Sequence, residues 1–480
     1  MDIILAEDWT PKPGVLLEFT PDPDTLARVR TAGPSTVPAT YMQESHIRRW
    51  AEQRHTDNPL SSELAMCFTV ASPLNPEALR DAFTAFLRRH ETLRTWFSID
   101  DTPWLTRYLL AAGEVELMTT SAAGIASSTQ LRDRLAPRFR AAADPTRWPA
   151  FVCAAIDHGS DGFTVVYSID HAFSDGTSLV AALFELYALY GAYAADQEPV
   201  GFPVGSYVEF AADERAAVAS GSPELDRLAR LLADNADRAR PLRWDLGLAP
   251  GELADSASTQ ADLLERADVD AFAEACAAAG ATFSAGLFAA LARTELELYG
   301  QTHYLALNVL GTRNEPRYQF AQGWFVNLTP ISFDVSPHEP FDGLATRVKA
   351  AQDAVKPLAA VPIHAGLERA AELTGSAQPR TTDWPWVSYM DMRAISDAAL
   401  RDALPQVGNL FGLASRSRVG RLSPLWFNRE TDRLRVAMVY PDTLAARSSA
   451  EEYFDRLRDV LAAVARSGEF TADELSTQGS

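Results

Sequence analysis

The sequence predicts an α/β protein, an α+β sandwich in two lobes, on three observations. Its 480 residues exceed what one ordinary hydrophobic core accommodates. Strand-like and helix-like runs are interleaved irregularly, without the strict alternation of a parallel barrel. A proline- and glycine-rich stretch at 196–210, DQEPVGFPVGSYVEF, interrupts the pattern and reads as a connection between lobes. The expected division is a first lobe over 1–195, a second over 196–466 and a polar tail, 467–480, that frays.

Taken in order, LSSELAMCFTVAS (60–72) reads as a strand and PEALRDAFTAFLRRH (76–90) as a helix, with Pro76 suited to its first turn. FVCAAIDHG (151–159) and GFTVVYSID (162–170) are strand-like. A helical pattern follows from Thr177, TSLVAALFELYALYGAYAA, with Asp175 or Thr177 as its cap. Helical spacing recurs over 223–239, 266–279, 283–298, 341–357 and 448–466. Strand-like runs recur at YLALNVLG (304–311), WFVNLTPISF (324–333), WVSYM (386–390) and RLRVAMVY (433–440). Stretches 241–259 and 371–385, carrying Pro, Gly and Ser, read as loops. No short-period repeat is present.

Composition narrows the function classes. Sixty-four acidic against 43 basic residues leave a net charge of −21, which repels phosphate backbones and argues against nucleic acid as a partner. Cys67, Cys153 and Cys276 sit far apart in apolar segments, with no spacing that suggests a metal site or a disulfide framework. They read as buried apolar residues in a reducing compartment. The opening MDIILAED lacks the pattern of a signal peptide, and no uninterrupted apolar run reaches about 18 residues. A cytoplasmic location is expected, with peripheral contact at the inner face of a membrane left open.

Chemistry centres on YSIDHAFSDGTSLV (167–180). An apolar strand ends at Asp170, and His171 follows where the backbone leaves the sheet. A histidine so placed can present one ring nitrogen to a cleft while the other is held from behind. A neutral imidazole there can accept a proton from a hydroxyl or an amine. Asp175 could brace the turn through an arginine elsewhere, and Gly176 permits close approach of backbone or substrate. Spacing alone leaves open the alternative of a helix cap with a satisfied polar histidine beside it. None of the other seven histidines forms a pair at metal-ligand spacing, so no metal is expected. A G-x-S-x-G elbow, a Walker loop and a dinucleotide glycine fingerprint are all missing from the sequence, which removes the signatures of serine hydrolase, kinase and dehydrogenase.

The stretch resembles the H-H-x-x-x-D-G signature of the superfamily containing chloramphenicol acetyltransferase and condensation domains. More closely, the chain is similar to the polyketide-associated acyltransferases of mycobacteria and related actinobacteria. The motifs that carry the likeness are EDWTPKPGVLLEFTP, VPATYMQESHIRRW, LRRHETLRTWF, YSIDHAFSDG, GSYVEF, AQGWFVNLTPI and VAMVYPD, in that order along the chain. The resemblance implies two chloramphenicol acetyltransferase-like lobes with an active-site tunnel at their interface. It puts the general base on His171, the signature aspartate on Asp175 and its glycine on Gly176. Asp170 replaces the first histidine, resembling the acidic-first version of trehalose-acylating members. The structural arginine falls on Arg313, paired with Asp175. GWFVN (323–327) matches a segment behind the channel, with Gly323 allowing tight packing and Trp324 and Phe325 forming apolar wall. Asn327 and Ser388 are weaker channel candidates, and Arg416, Arg418 and Arg421 form a basic cluster able to meet a donor phosphate.

The implied reaction is direct attack of an alcohol on a thioester, with His171 as base and no acyl-enzyme. The donor would be acyl-coenzyme A or an acyl-phosphopantetheinyl carrier protein, with no permanently bound cofactor. The acceptor would be a sugar such as trehalose or another lipid alcohol, in cell-wall lipid or secondary-metabolite biosynthesis. Two alternatives stay open: a stand-alone condensation enzyme forming an amide, and an inactive docking module for carrier proteins.

Overall fold

The computed structural model describes residues 2–56, 62–99, 105–122, 127–201, 203–239, 244–393, 402–421 and 424–470. The chain forms two compact units, each built from separated segments. The first comprises Met1–Gly221, Gly311–Val326 and Leu400–Ser417; the second comprises Ser222–Leu310, Asn327–Ala399 and Arg418–Ser480.

The first unit is organised by a seven-stranded sheet, in the spatial order Asp2–Leu5, Val407–Ala414, Glu63–Val70, Phe163–Asp170, Phe151–Asp157, Val15–Pro21 and Leu117–Ala122. Only the first pair is parallel. The central strand, FTVVYSID, is buried at every residue, as expected for a strand covered on both faces. Its alternate side chains go to different cores. Val165, Tyr167 and Ile169 pack with Phe83, Phe86 and Leu183, from the helices Pro76–Arg89 and Gly176–Ala194. Val166 packs with Leu131, Leu135 and Phe139 from the helix Ser128–Ala142. Pairing of Glu63 with Asp170 fixes the register, so His171 stands just past the sheet's end.

One expectation from sequence needs correction here. The first unit does not stop at residue 195. The proline-glycine stretch runs into a helix, Tyr207–Ala219, capped by Ser206, and Tyr207 packs with Tyr318, Ala321 and Phe325 in that unit's own core. The helix Gly176–Ala194, though broken by small and polar residues, is long and apolar enough by composition to cross a membrane. It is instead a core helix: Leu179, Ala182, Leu183 and Leu186 are buried in the first unit's core, and Glu185 on it is held by Arg89 and His90.

The second unit has its own seven-stranded sheet, ordered Val326–Asp334, His303–Gly311, Trp386–Asp391, Leu425–Arg429, Arg433–Pro441, Ala254–Glu265 and Arg418–Val419. Its helices Arg266–Ala278, Phe283–Tyr299, Phe341–Val355 and Leu444–Ser467 correspond to the helical spacing read from sequence. The stretch 241–259 is not all loop: Ala254 opens a twelve-residue strand paired along Arg433–Pro441. ADSASTQADLLE is too polar to read as a strand, and its exposed positions alternate with covered ones. The tail expected to fray begins at the end of the last helix, which Gly468 terminates in the left-handed conformation. Residues 471–480 of it lie outside the described residues.

Candidate active site

The site grows from the end of the central strand. His171 N still donates to Ser62 O (2.7 Å), extending the sheet ladder by one residue. The backbone then makes one 3-10 turn, His171–Phe173, which Asp170 caps by accepting from Ala172 N (2.8 Å). Asp175 caps the following helix, Gly176–Ala194, accepting from Ser178 N (2.6 Å). Thr177, the other cap read from sequence, lies inside the helix.

Asp175 has a second duty. Its Oδ1 and Oδ2 lie 3.0 and 3.3 Å from Arg313 Nη2, and Oδ2 also accepts from Phe325 N (2.8 Å). Arg313 is engaged at both terminal nitrogens: Nη1 donates to the carbonyls of Tyr318 and Ala321 (2.6 Å each), and Nη2 donates to Ser178 Oγ (2.6 Å). Both side chains are buried. Ser178 Oγ in turn donates to Gly323 O (2.9 Å), and Gln322 Nε2 donates to Ser178 O (2.9 Å). The turn 171–178 and the segment 313–325 thus form one clamped assembly within the first unit. Arg313 Nε is buried without a hydrogen-bond partner, and a buried ion pair of this kind fixes geometry more than it adds stability.

Gly323 carries this assembly past Tyr207. Its φ is +154°, and a Cβ there would lie 2.3 Å from the Tyr207 ring. Tyr207 is fixed, donating its hydroxyl hydrogen to Trp324 O (2.9 Å). Trp324 consequently lies over His171, with ring centroids 4.0 Å apart. Phe325 turns the other way, into contact with Tyr207, Phe210 and Tyr318, with the Arg313 guanidinium 4.3 Å above its ring. Of Trp324 and Phe325, read as apolar wall, only Trp324 faces the histidine.

His171 is partly exposed while its Nδ1 is buried without a hydrogen-bond partner, which leaves Nε2 as the nitrogen open to a reactant. Loss of hydration, helped by His46, pushes its pKa down to about 4, against the opposing pull of its own main chain, Asp170 and Asp175. The ring is therefore neutral at pH 7, the form a general base requires. Gly176 is exposed, and a Cβ added to it would meet nothing within 4 Å. Nothing in the chain itself demands glycine there.

His46, which sequence reading passed over, belongs to this site. It lies on the helix Tyr41–Gln53, whose buried stripe is Gln43, His46, Ile47 and Trp50. Its Nε2 is 3.3 Å from Asp170 Oδ1, and its ring stands edge-on to Trp324 at 5.2 Å. A histidine within an otherwise core-facing helical stripe was the available signal. His90 is a buried link: its Nε2 meets Glu185 Oε2 (2.8 Å) and its Nδ1 accepts from Gln322 N (3.3 Å).

The weaker candidates fall elsewhere. Asn327 is consumed by backbone: its Nδ2 donates to the carbonyls of Ala359 and Val361, and its Oδ1 accepts from Leu328 N and Ile363 N. Ser388 is buried in the second unit's sheet. The three arginines do not form a cluster within either unit. Arg416 belongs to the first unit and pairs with Asp8 (3.2 Å), whereas Arg418 belongs to the second and donates to Leu253 O (2.8 Å). Among the described residues, no group of three or more His, Cys, Asp or Glu is placed to hold a metal ion.

Comparison with known proteins places this geometry. The family described as "Condensation domain" matches residues 34–378, which include the whole 171–178 turn and the 313–325 segment. The chain belongs to the condensation-domain family. Within it, the chain is 27% identical to acyltransferase PapA3 of Mycobacterium tuberculosis, covering 96% of both proteins. It is 28% identical to 2'-acyl-2-O-sulfo-trehalose (hydroxy)phthioceranyltransferase PapA1 of Mycobacterium bovis, over 98% of this chain and 89% of that one. Trehalose-2-sulfate acyltransferase PapA2 of Mycobacterium bovis is also 28% identical, over 95% and 96%. A solved PapA2 acyl transferase superposes with a TM-score of 0.87 at 27% identity, covering 97% of this chain and all of that one. The condensation domain of Monacolin K polyketide synthase MokA shares the fold, with a TM-score of 0.69. This condensation-family chain is an enzyme of the acyltransferase class.

Proposed function

We propose that this protein transfers an acyl group from a thioester to a hydroxyl of a sugar of the trehalose class, with His171 as general base. The observation that carries the reading is a neutral, partly exposed imidazole beneath Trp324, on a turn locked by the Asp175–Arg313 pair, in a chain similar end to end to PapA1, PapA2 and PapA3. His171 Nε2 takes the acceptor's proton as its oxygen attacks the thioester carbonyl. The C–S bond then breaks, and the thiolate recovers the proton from the imidazolium. No covalent acyl-enzyme intervenes. Main-chain N–H groups at Gly176, the first residue of its helix, are candidates for the developing oxyanion. The open space at Gly176 suits a reactant, and the Trp324 face suits an apolar acyl chain.

The donor is a coenzyme A thioester or an acyl group on a carrier protein. Cys67, Cys153 and Cys276, all unpaired and buried, fit a reducing cytoplasm in which such donors are made. The test is mass spectrometry of products after incubation with a panel of acyl-coenzyme A thioesters and trehalose. A trehalose ester that vanishes with His171→Ala supports the reading. Acylation of a supplied amine in preference to trehalose would replace it with amide synthesis. Undiminished product formation by the folded His171→Ala protein would remove the general-base role.

A further inference from the structure

Asp170 poses an electrostatic problem. Its carboxylate has no solvent exposure, and its hydrogen bonds come from neutral donors, Ser62 Oγ (2.7 Å) and Ala172 N (2.8 Å). A buried carboxylate is costly unless a positive group offsets its charge. Arg313 cannot serve, because its head is committed to Asp175, Ser178 and two carbonyls. The group that reaches Asp170 is His46, whose Nε2 lies 3.3 Å from Oδ1 and is itself buried without a hydrogen-bond partner. The His46 ring also stands edge-on to Trp324, which covers His171, and lies 6.1 Å from the His171 ring itself.

We propose that His46 is a positioning residue whose approach to Asp170 offsets that carboxylate's pull on His171, so that the base stays neutral over a wider pH range beneath Trp324. The inference rests on the reading of His171 as the base, and adds to desolvation a second source of the base's charge state. In the motif, Asp170 stands where a histidine is usual, beside the base. Left uncompensated, it would raise the affinity of His171 for a proton and narrow the pH range in which the ring can accept one from the acceptor. His46 offsets that pull from a helix remote in sequence. Titratable groups near His171 include His46, Asp170 and Asp175, the last already paired with Arg313; Asp170 and His171 lie near His46, and the buried Glu63 pairs with Asp170 across the sheet. On α-helix 41–53 itself, Glu44 is occupied by Arg48 and Arg215.

The decisive experiment needs no substrate. The full chain, labelled with carbon-13 in the histidine rings, is titrated by NMR, with signals assigned from His171→Ala and His46→Ala. His46→Ala should raise the His171 midpoint by about one pH unit or more, a ten-fold gain in proton affinity. His46→Ala combined with Asp170→Asn should return it toward the parent value. Should His46→Ala melt early, His46→Gln, uncharged but similar in reach, gives the same reading. An unchanged His171 midpoint in a folded His46 variant overturns the proposal. Thiol release from palmitoyl-coenzyme A with trehalose supplies the kinetic side: the acid limb of kcat should move up in pH in His46→Ala by the same amount as the NMR midpoint, with KM little altered. Full turnover by His171→Ala would sink the general-base reading instead, and leaves the electrostatic coupling to be decided by the titration.

Discussion

His171 is where environment matters more than residue type. An ordinary imidazole loses its usefulness as a base below about pH 6.5, but this one is pushed down to about 4. The acid limb of kcat/KM should therefore lie near pH 4 rather than across neutrality, a pH–rate profile being the check. Replacing His171 by alanine should lower kcat by about 10²–10⁴-fold with the melting temperature at pH 7 nearly unchanged. The linkage has a definite sign. Because the folded-state pKa is depressed, the stability associated with His171 is present above about 6.5 and is lost as pH falls through about 4. His171→Ala should consequently flatten the melting curve's dependence on pH in that window. Asp175 and Arg313 act differently, as partners in a desolvated pair. Removing either should cost about 3–5 kcal/mol in denaturant unfolding, and removing both should cost much less than the sum.

Elements set where those residues stand. Gly323 is the close-packed point at which the 313–325 segment passes Tyr207, and the hydroxyl of Tyr207 holds Trp324 O. Gly323→Ala should destabilise by about 1–3 kcal/mol through overpacking and should also displace Trp324 from His171, seen as a loss of kcat together with altered tryptophan fluorescence. The helix Tyr41–Gln53, which carries His46, is anchored at its first residue: Tyr41 N donates to Glu214 Oε1 (2.8 Å) on the helix Tyr207–Ala219. Burial pushes Glu214 up to about 7, offset in part by that hydrogen bond and by Arg215. A raised folded-state value means its contribution is complete below the ordinary carboxylate range and fades as pH rises through about 7. Glu214→Gln should gain melting temperature relative to the parent between pH 5 and pH 8, which paired calorimetric scans can measure.

At the scale of the molecule, the first unit is assembled from three separated stretches of chain. The strand Val407–Ala414 lies between Asp2–Leu5 and Glu63–Val70, and Arg313 and Trp324 arrive on the second stretch. A fragment ending at Gly221 would expose the edge of Glu63–Val70 and would lack the partner of Asp175. It should aggregate or melt without cooperativity, as size exclusion and thermal circular dichroism would report. The apolar helix Gly176–Ala194 makes the same point. By composition it could sit in a lipid bilayer, but Asp175 at its start and Glu185 within it are tied to groups from other segments of the same unit.

Local patterns carried much of this architecture. The long amphipathic helices, the strand FTVVYSID and the turn after it were legible because period and capping chemistry act over a few residues. The motif order marked His171, Asp175, Gly176 and Arg313. Polar Ala254–Glu265 was not legible as a strand, since its partner, Arg433–Pro441, is nearly 170 residues away in sequence and supplies the pairing that its own residues do not advertise. Nor could sequence tell that Phe325 turns from the histidine while Trp324 covers it, because Tyr207, about 117 residues earlier, decides that orientation. Residue types and their order were enough to name the groups with the chemistry to accept a proton and to brace a turn. How charged those groups are and what they face follows from the fold, because desolvation and the approach of His46 to Asp170 depend on distances that chain order does not encode.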